Sequence, residues 1–324
     1  MKKITLFIAG FLAMFYLTFL VHMVQAQTYP SRSIQLVIAM APGDIQDIMG
    51  RAISFELSKV LKTPVIPLNK PGGSGTVAGD VVAKGKKDGY SILCGNPNVY
   101  NVHAMDPEGV PYNPFQDLEP LCSVASVPFT VAVNADSPWK SFHDLVDYIQ
   151  KNPGKVRGSS AGVGSTAHFC YEIIRSETRA TITMVPFKGG SPAIMALLGG
   201  HVEVTAVPTG LLSPHIKAGK IRALLNSHKV SEFPDVPTLV QLGYKRDLHS
   251  NRVIMFVPTG VPDSVKNVLA SALEESIKSA NVVKAIHDLG LIEDYKPAEE
   301  FKKMMIEEYE MVKGFFKAAG RAGN

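Results

Sequence analysis

Two spaced glycines and three hydroxyls set ahead of a helix start are the parts of an anion cradle. Residues Gly158 to Cys170, GSSAGVGSTAHFC, carry Ser159, Ser160 and Ser165 with Gly162 and Gly164 among them, and a helical pattern runs from Ser165 to Glu177. Glycine reaches positive φ without steric cost, so successive N–H groups can turn into one concavity. A helix start directly behind adds unsatisfied donors and a partial positive charge. The expected guest is a carboxylate or phosphate. An ordinary β-α turn with Ser165 as N-cap satisfies the same letters. So does Gly158-x-Ser160-x-Gly162, the nucleophile-elbow spacing of a serine hydrolase, with Asp247 and His249 as available partners. An elbow needs its helix to begin at the serine, and here Gly162, Val163 and Gly164 intervene.

Other groups could share such a site. Asp47 stands in the first turn of an early helix, where it either complements the helix dipole or points into a cleft at the carboxyl end of a strand. Asn96 and Asn98 follow a strand end and either line a pocket or stabilise a loop. Lys188 precedes Gly189-Gly190 and is either solvated or set against an anion. The glycine-rich Pro71 to Thr76, PGGSGT, has no Gly-Lys-Ser/Thr ending and reads as a tight turn, not a nucleotide cradle. Cys94, Cys122 and Cys170 form no C-x-x-C pair, so no zinc site and no other cofactor is expected. A Cys94–Cys122 disulfide is open in an oxidising compartment. Cys170 reads as a buried thiol.

The elements that must position these residues alternate. Ile34 to Met40 is a buried-type strand, and a helix follows from about Gln46 to Leu61, with Ile48, Ile53, Leu57 and Leu61 at helical spacing. Val65 to Leu68, a helix ending near Gly85, and Ser91 to Gly95 continue the βαβ grammar of a parallel sheet. Asn96 to Glu119, broken by Pro107, Pro111 and Pro114, reads as irregular. A second unit starts near Val124 to Val133. It holds a helix over Ser141 to Lys151 beside the lone Trp139, and a strand over Thr181 to Phe187. A helix capped by Ser191, with Pro192 at N1, runs to Gly199, and strands follow at His201 to Val207 and before Ser227. Arg252 to Val257 returns to the first unit. A helix from Asp263 and a last one over about Ala298 to Ala319 follow, the latter aligning Phe301, Met305, Val312 and Phe316. The class is α/β in two lobes, with crossings near Pro128 and Arg252 and a cleft between.

Lys2 and Lys3, an apolar run over Ile4 to Val21 and the small-x-small Val24-Gln25-Ala26 read as an export signal over 1–26, removed in a periplasmic protein. About 298 residues remain, enough for one large or two medium domains. Lys+Arg 33 against Asp+Glu 29, with no basic run interleaved with aromatics, gives no footprint for nucleic acid.

Taken in order, YPSRSIQLVIAMAPGDIQDIMGR, NKPGGSGTVAGDVVAKGKKDGYSIL, VPYNPFQDLEPL, GKVRGSSAGVGSTAHF, VPFKGGSPAIMALLGGHVEV, IKAGKIRALLNSH, DVPTLVQLGY and VPTGVP cover nearly the whole chain after the signal. This set resembles the periplasmic solute-binding proteins of tripartite tricarboxylate transporters, the Bug or TctC-type family. The resemblance implies a type II-like, two-lobed binding fold (27–128 with 252–324, and 129–251). It implies a monomer that closes on a small carboxylate and hands it to membrane permease subunits, without catalysis. A sensor feeding a signalling partner is the other role such a fold fills.

By the same resemblance the first ligand loop falls on Ala41 to Asp47, the carboxylate-holding turn on Ser160 to His168, and the Tyr-Lys-Gly corner on Phe187-Lys188-Gly189. The ligand-binding set is then Met40, Gly43, Asp44, Gln46, Asp47, Asn96, Ser160, Ala161, Gly164, Ser165, Thr166, His168, Phe187, Lys188 and Gly189. Asp44 stands where the family has a second glycine, and Gln46 where it often has a small hydroxyl. The aromatic-Gly pair before the return strand is absent, with Arg252 and Val253 nearby. A buried Asp44 charge would oppose a polyanion such as citrate. The expected guest therefore has one carboxylate and a neutral or cationic far end, such as an amino acid or aromatic acid.

Overall fold

The structure, a computed structural model, describes residues 29–318 apart from Ala161, Val163 and Lys188. The expected export signal lies outside the described residues. Among the described residues no helix is long and apolar enough to cross a membrane.

The chain opens with β1 (Ile34–Ile38), α1 (Ile45–Val60), β2 (Val65–Asn69), α2 (Thr76–Ala83), β3 (Ser91–Gly95), α3 (Asn98–Met105) and β4 (Leu118–Val127). Ile34, Leu36, Val37 and Ile38 are all fully buried, as a parallel strand covered by helices on both faces requires. The apolar stripe of α1 is Ile45, Met49, Ile53 and Leu57, all buried at i, i+4 spacing. Ile48, read from sequence as part of that stripe, is 37% exposed. The helix begins at Ile45, capped by the Asp44 side chain, and i, i+4 spacing back from Leu57 puts Ile45 on the inner face and leaves Ile48 about 100° round from Met49.

Pro128 carries the chain into a second sheet. There follow β5 (Phe129–Asn134), α4 (Phe142–Lys151), β6 (Arg157–Ser160), α5 (Thr166–Thr178), β7 (Thr183–Pro186), α6 (Gly190–Leu198), β8 (Val204–Pro208), α7 (Thr209–Lys217) and β9 (Ile221–Asn226). A connector over 227–250 leads back to β10 (Asn251–Pro258), then α8 (Asp263–Ile277), α9 (Ala280–Asp288), β11 (Ile292–Pro297) and α10 (Ala298–Ala318). The first sheet has the order β11-β4-β10-β3-β1-β2 and the second β7-β6-β8-β5-β9. In the first, β1 is parallel to β2 and β3, and β10 is antiparallel to both β3 and β4. In the second, β6 is parallel to β7 and β8, and β5 is antiparallel to β8 and β9. Each sheet with its helices makes one lobe.

Four local expectations change. The segment 96–119 is not wholly irregular, because the Asn96 side chain accepts the Asn98 N–H and starts α3. Gly189, not Ser191, is the N-cap of α6. α9 and β11 occupy a stretch with no earlier assignment. Cys94, Cys122 and Cys170 are buried free thiols. Met255 pairs with Cys94 on one side and Cys122 on the other. The two cysteines are thus two strand spacings apart, about 9–10 Å, beyond the ~7 Å that a disulfide spans.

Candidate functional site

A cavity of about 30 Å³ lies between the lobes. Its wall is built from helix starts. Asp44 and Gln46 bring the N-terminus of α1, Asn98 that of α3, Ser165, Thr166 and Ala167 that of α5, and Gly190 that of α6. Phe129, Val207, Pro208 and Asn251, where strands of the two sheets end or begin, complete it. Each helix start has N–H groups that no helical carbonyl can reach, together with the positive end of the helix dipole. Ser165 caps α5 by accepting the His168 N–H (3.3 Å), which leaves the N–H groups of Thr166 and Ala167 as first-turn donors without a helical acceptor.

The lobes touch around this cavity. Thr166 Oγ1 donates to Asn98 Oδ1 across the gap at 3.5 Å. A Cβ on Gly189 would stand 4.0 Å from Asp44 Oδ2. Gly164, at φ +77°, lies so close to α3 that a Cβ would meet Val102 Cγ2 at 2.6 Å. The segment Gly164 to Ala167 thus both faces the cavity and seals against the other lobe.

Asp44 is the one ionisable group among the described lining residues. Its Oδ1 accepts the Gln46 N–H at 3.3 Å. Burial pushes its carboxyl up to about 6, against the lowering pull of the Gln46 and Ile45 N–H groups. Gln46 is buried, and its Nε2 donates to the Arg252 carbonyl at 3.5 Å. Asp47 has a different job. Its carboxylate accepts from Gly43 N–H (2.9 Å), Arg51 Nε (2.9 Å) and Asn69 Nδ2 (2.8 Å). Asn69 Nδ2 also reaches the Met40 carbonyl at 3.0 Å. Burial alone would raise the Asp47 carboxyl, but these donors hold it below the usual carboxylate range. Asp47 is therefore the pin of the β1–α1 loop, setting Met40 and Asp44 against the cavity.

Of the residues singled out in the sequence, Met40, Asp44, Gln46, Asn98, Ser165 and Thr166 line the cavity. Gly43, Asn96, Gly164, His168, Phe187 and Gly189 shape it from behind. Asn96 holds the α3 start, Gly164 N–H donates to His168 Nδ1 (3.1 Å), and Phe187 N–H donates to the Ser160 carbonyl (2.7 Å). Ala161 and Lys188 lie outside the described residues. Arg252, near the missing aromatic-Gly pair, turns its guanidinium to Asp294 on β11. Sequence reasoning missed Asn251, Phe129 and the Ala206–Pro208 strand end. Their signal was positional only: all three sit where a strand stops or starts at the inter-sheet gap.

The hydrolase arrangement is not assembled. Ser160 is fully buried, and its Oγ accepts the Gly162 N–H at 3.1 Å. β6 ends at Ser160 and α5 begins at Thr166, so no helix follows the serine directly. Asp247 and His249 line a separate, larger cavity that Ser160 does not reach. Asp247 Oδ1 accepts the Val240 N–H, and His249 Nε2 lies 3.1 Å from Glu308 Oε1. Among the described residues no group of three or more His, Cys, Asp or Glu side chains is placed to hold a metal ion.

The family described as tripartite tricarboxylate transporter family receptor matches residues 49–320. Protein BugT of Bordetella pertussis is 33% identical over 267 residues, covering 81% of each chain. The solved structure of the periplasmic binding protein BugD is 26% identical, with a TM-score of 0.84 over 91% of this chain and 100% of that one. An R. palustris protein solved with adipate is 25% identical, with a TM-score of 0.81 over 90% of this chain and 98% of that one.

Proposed function

Because this chain belongs to the tripartite tricarboxylate transporter receptor family, we propose that its interlobe cavity is the site where one small carboxylate is captured for delivery to permease subunits. The chain is a Bug-type periplasmic solute-binding protein of two-lobed α/β fold. The observation that carries the site is the meeting of four helix starts on one cavity whose described lining holds a single acid. Free N–H groups at α5 would take the carboxylate oxygens, and the Thr166 and Asn98 side chains would finish the shell.

A space of about 30 Å³ holds only one or two waters, so entry of a ligand requires the lobes to part. The hinge in this reading is the pair of inter-sheet crossings, at Pro128 and at the connector's end near Arg252. Residues 27–128 with 252–324 move against 129–251, and the ligand shifts an open–closed equilibrium. Residues 1–26 serve as the export signal, and the carrier works as a monomer.

Asp44 narrows the ligand class. Two like charges 4 Å apart cost roughly 4 kcal/mol at an effective dielectric of 20. The ligand therefore presents one carboxylate to α5 and a neutral or cationic end to Asp44. The test is a thermal-shift panel on protein unfolded and refolded to remove carried ligand. It compares amino acids and aromatic monoacids with succinate, adipate and citrate. A ligand at a hundred times its dissociation constant adds about 2.7 kcal/mol. Stabilisation by monoacids at pH 8 is the expected result. A response to diacids alone would discard the Asp44 argument, and silence across the panel would remove the carboxylate reading.

A further inference from the structure

A second cavity, of about 600 Å³, lies apart from the cleft. It lies behind α5, between that helix, α10 and the 227–250 connector. Phe169 and Ile173 of α5, Met311 and Val312 of α10, and Val240 and Leu248 of the connector make apolar walls. Its volume falls within the range of small-molecule sites, which are mainly apolar with a few fixed polar groups. Here those groups are Ser227 and Thr238, both buried, with Lys229 and Arg246 at the mouth. Lys229 is exposed and has no ion-pair partner among the described residues. Arg246 shares the Glu177 carboxylate at 3.1 Å. The one acid among the described wall residues, Asp247, is occupied at Oδ1 by the Val240 N–H.

We infer that this cavity is a second ligand site that takes an amphipathic monoanion, an aromatic or medium-chain carboxylate, with its body against Phe169, Ile173 and Leu248 and its head group at Lys229. The walls come from both lobes, since α5 packs on β6 and β8 of the second sheet while α10 packs on α3, β4 and β11 of the first. The site is separate from the cleft: Ser165 to Ala167 of α5 face the cleft, and Phe169 and Ile173, further along the same helix, face this cavity.

The test is calorimetric titration of refolded full chain with octanoate. Thr166→Val, of nearly the same shape, removes the hydroxyl that reaches Asn98 in the cleft and serves as the control. Met311→Trp and Val240→Trp fill the larger cavity from side chains that are 51% and 50% exposed, so the core is left intact. Octanoate is expected to bind wild type and Thr166→Val alike, to weaken by about tenfold or more in both cavity-filling variants, and to weaken several-fold in Lys229→Glu. No binding to wild type up to about 1 mM, the weakest affinity worth assigning to a site, would overturn the proposal. So would loss in Thr166→Val with retention in Met311→Trp and Val240→Trp. Loss in the filling variants with no change in Lys229→Glu would overturn the anionic class. None of these results depends on the cleft ligand, so the two sites fail or stand separately.

Discussion

The two cavities share α5 and differ in almost everything else. One is a slot of about 30 Å³ ringed by helix starts, and the other a chamber of about 600 Å³ walled mainly by carbon. The slot is small because the lobes meet there through polar side chains and glycines that allow backbone to approach backbone. The chamber is large because bulky side chains of α5 and α10 leave room that the connector bridges but does not fill. A polar slot gains from dehydration and directed donors, whereas an apolar chamber rewards surface burial. On the two proposals above, the guests differ in kind and would not compete for one cavity.

The sharpest way to break this comparison is to prevent closure without touching either cavity. Gly210, on α7 of the second lobe, faces the end of α9 of the first. A Cβ there would lie 1.8 Å from the Leu289 carbonyl oxygen. Gly210 does not have a positive φ, so alanine is unstrained within α7 and the clash falls on the contact with Leu289. Overpacking against backbone costs about 3 kcal/mol, which is about a hundredfold in affinity. Calorimetry with the cleft ligand, and small-angle scattering for lobe separation, check this. Octanoate, whose chamber has room with the lobes together, is expected to lose less. Unchanged cleft affinity in Gly210→Ala would mean that capture does not need this closed state.

A second way acts on charge. The Asp44 carboxyl titrates near 6 when folded, against an ordinary value of 3.8. The folded protein therefore holds this proton more tightly than the unfolded chain does. The stability linked to it is present below pH 3.8 and is lost as pH rises through 6. Each pKa unit is about 1.4 kcal/mol, and partial hydration of the slot reduces the total to about 1–3 kcal/mol. Asn also caps helices, so Asp44→Asn is expected to melt higher than wild type at pH 8 and equally at pH 4. Diacids should bind the variant better at pH 8, with octanoate indifferent. Equal melting curves at pH 8 would place the Asp44 charge in solvent.

What the sequence disclosed follows the same division. The slot was legible because its parts are local: Ser165 as a cap, Gly162 and Gly164 before it, and an acid ahead of α1 are each readable within a few letters. The role of Asp47 was not, because Asn69 and Arg51, which turn it into the loop, include a partner from another strand. The start of α3 was hidden by the prolines that follow it, although Asn96 and Asn98 were visible. The capping of α4 by Ser141 with Asp144 was local and its helix was found over the expected residues. The chamber had no sequence signature. Its connector carries no periodicity, and its walls meet only when three distant segments pack.

The smallest expected effect separates the two ends of α5. Ser165 Oγ accepts the His168 N–H, and the serine lines the slot but not the chamber. Replacing an N-cap serine by alanine costs about 1 kcal/mol, which lowers the melting temperature of a domain this size by about 2–4 °C. In Ser165→Ala the first turn of α5 loses its anchor, and cleft affinity is expected to fall several-fold. Phe169 and Ile173 lie beyond the first turn, where helical hydrogen bonds hold the backbone regardless of the cap. Octanoate affinity should therefore stay within about twofold of wild type once the proteins are compared at equal distance below their melting temperatures. Parallel losses at both cavities would show that α5 moves as one body, so that anything bound in the chamber is felt at the carboxylate.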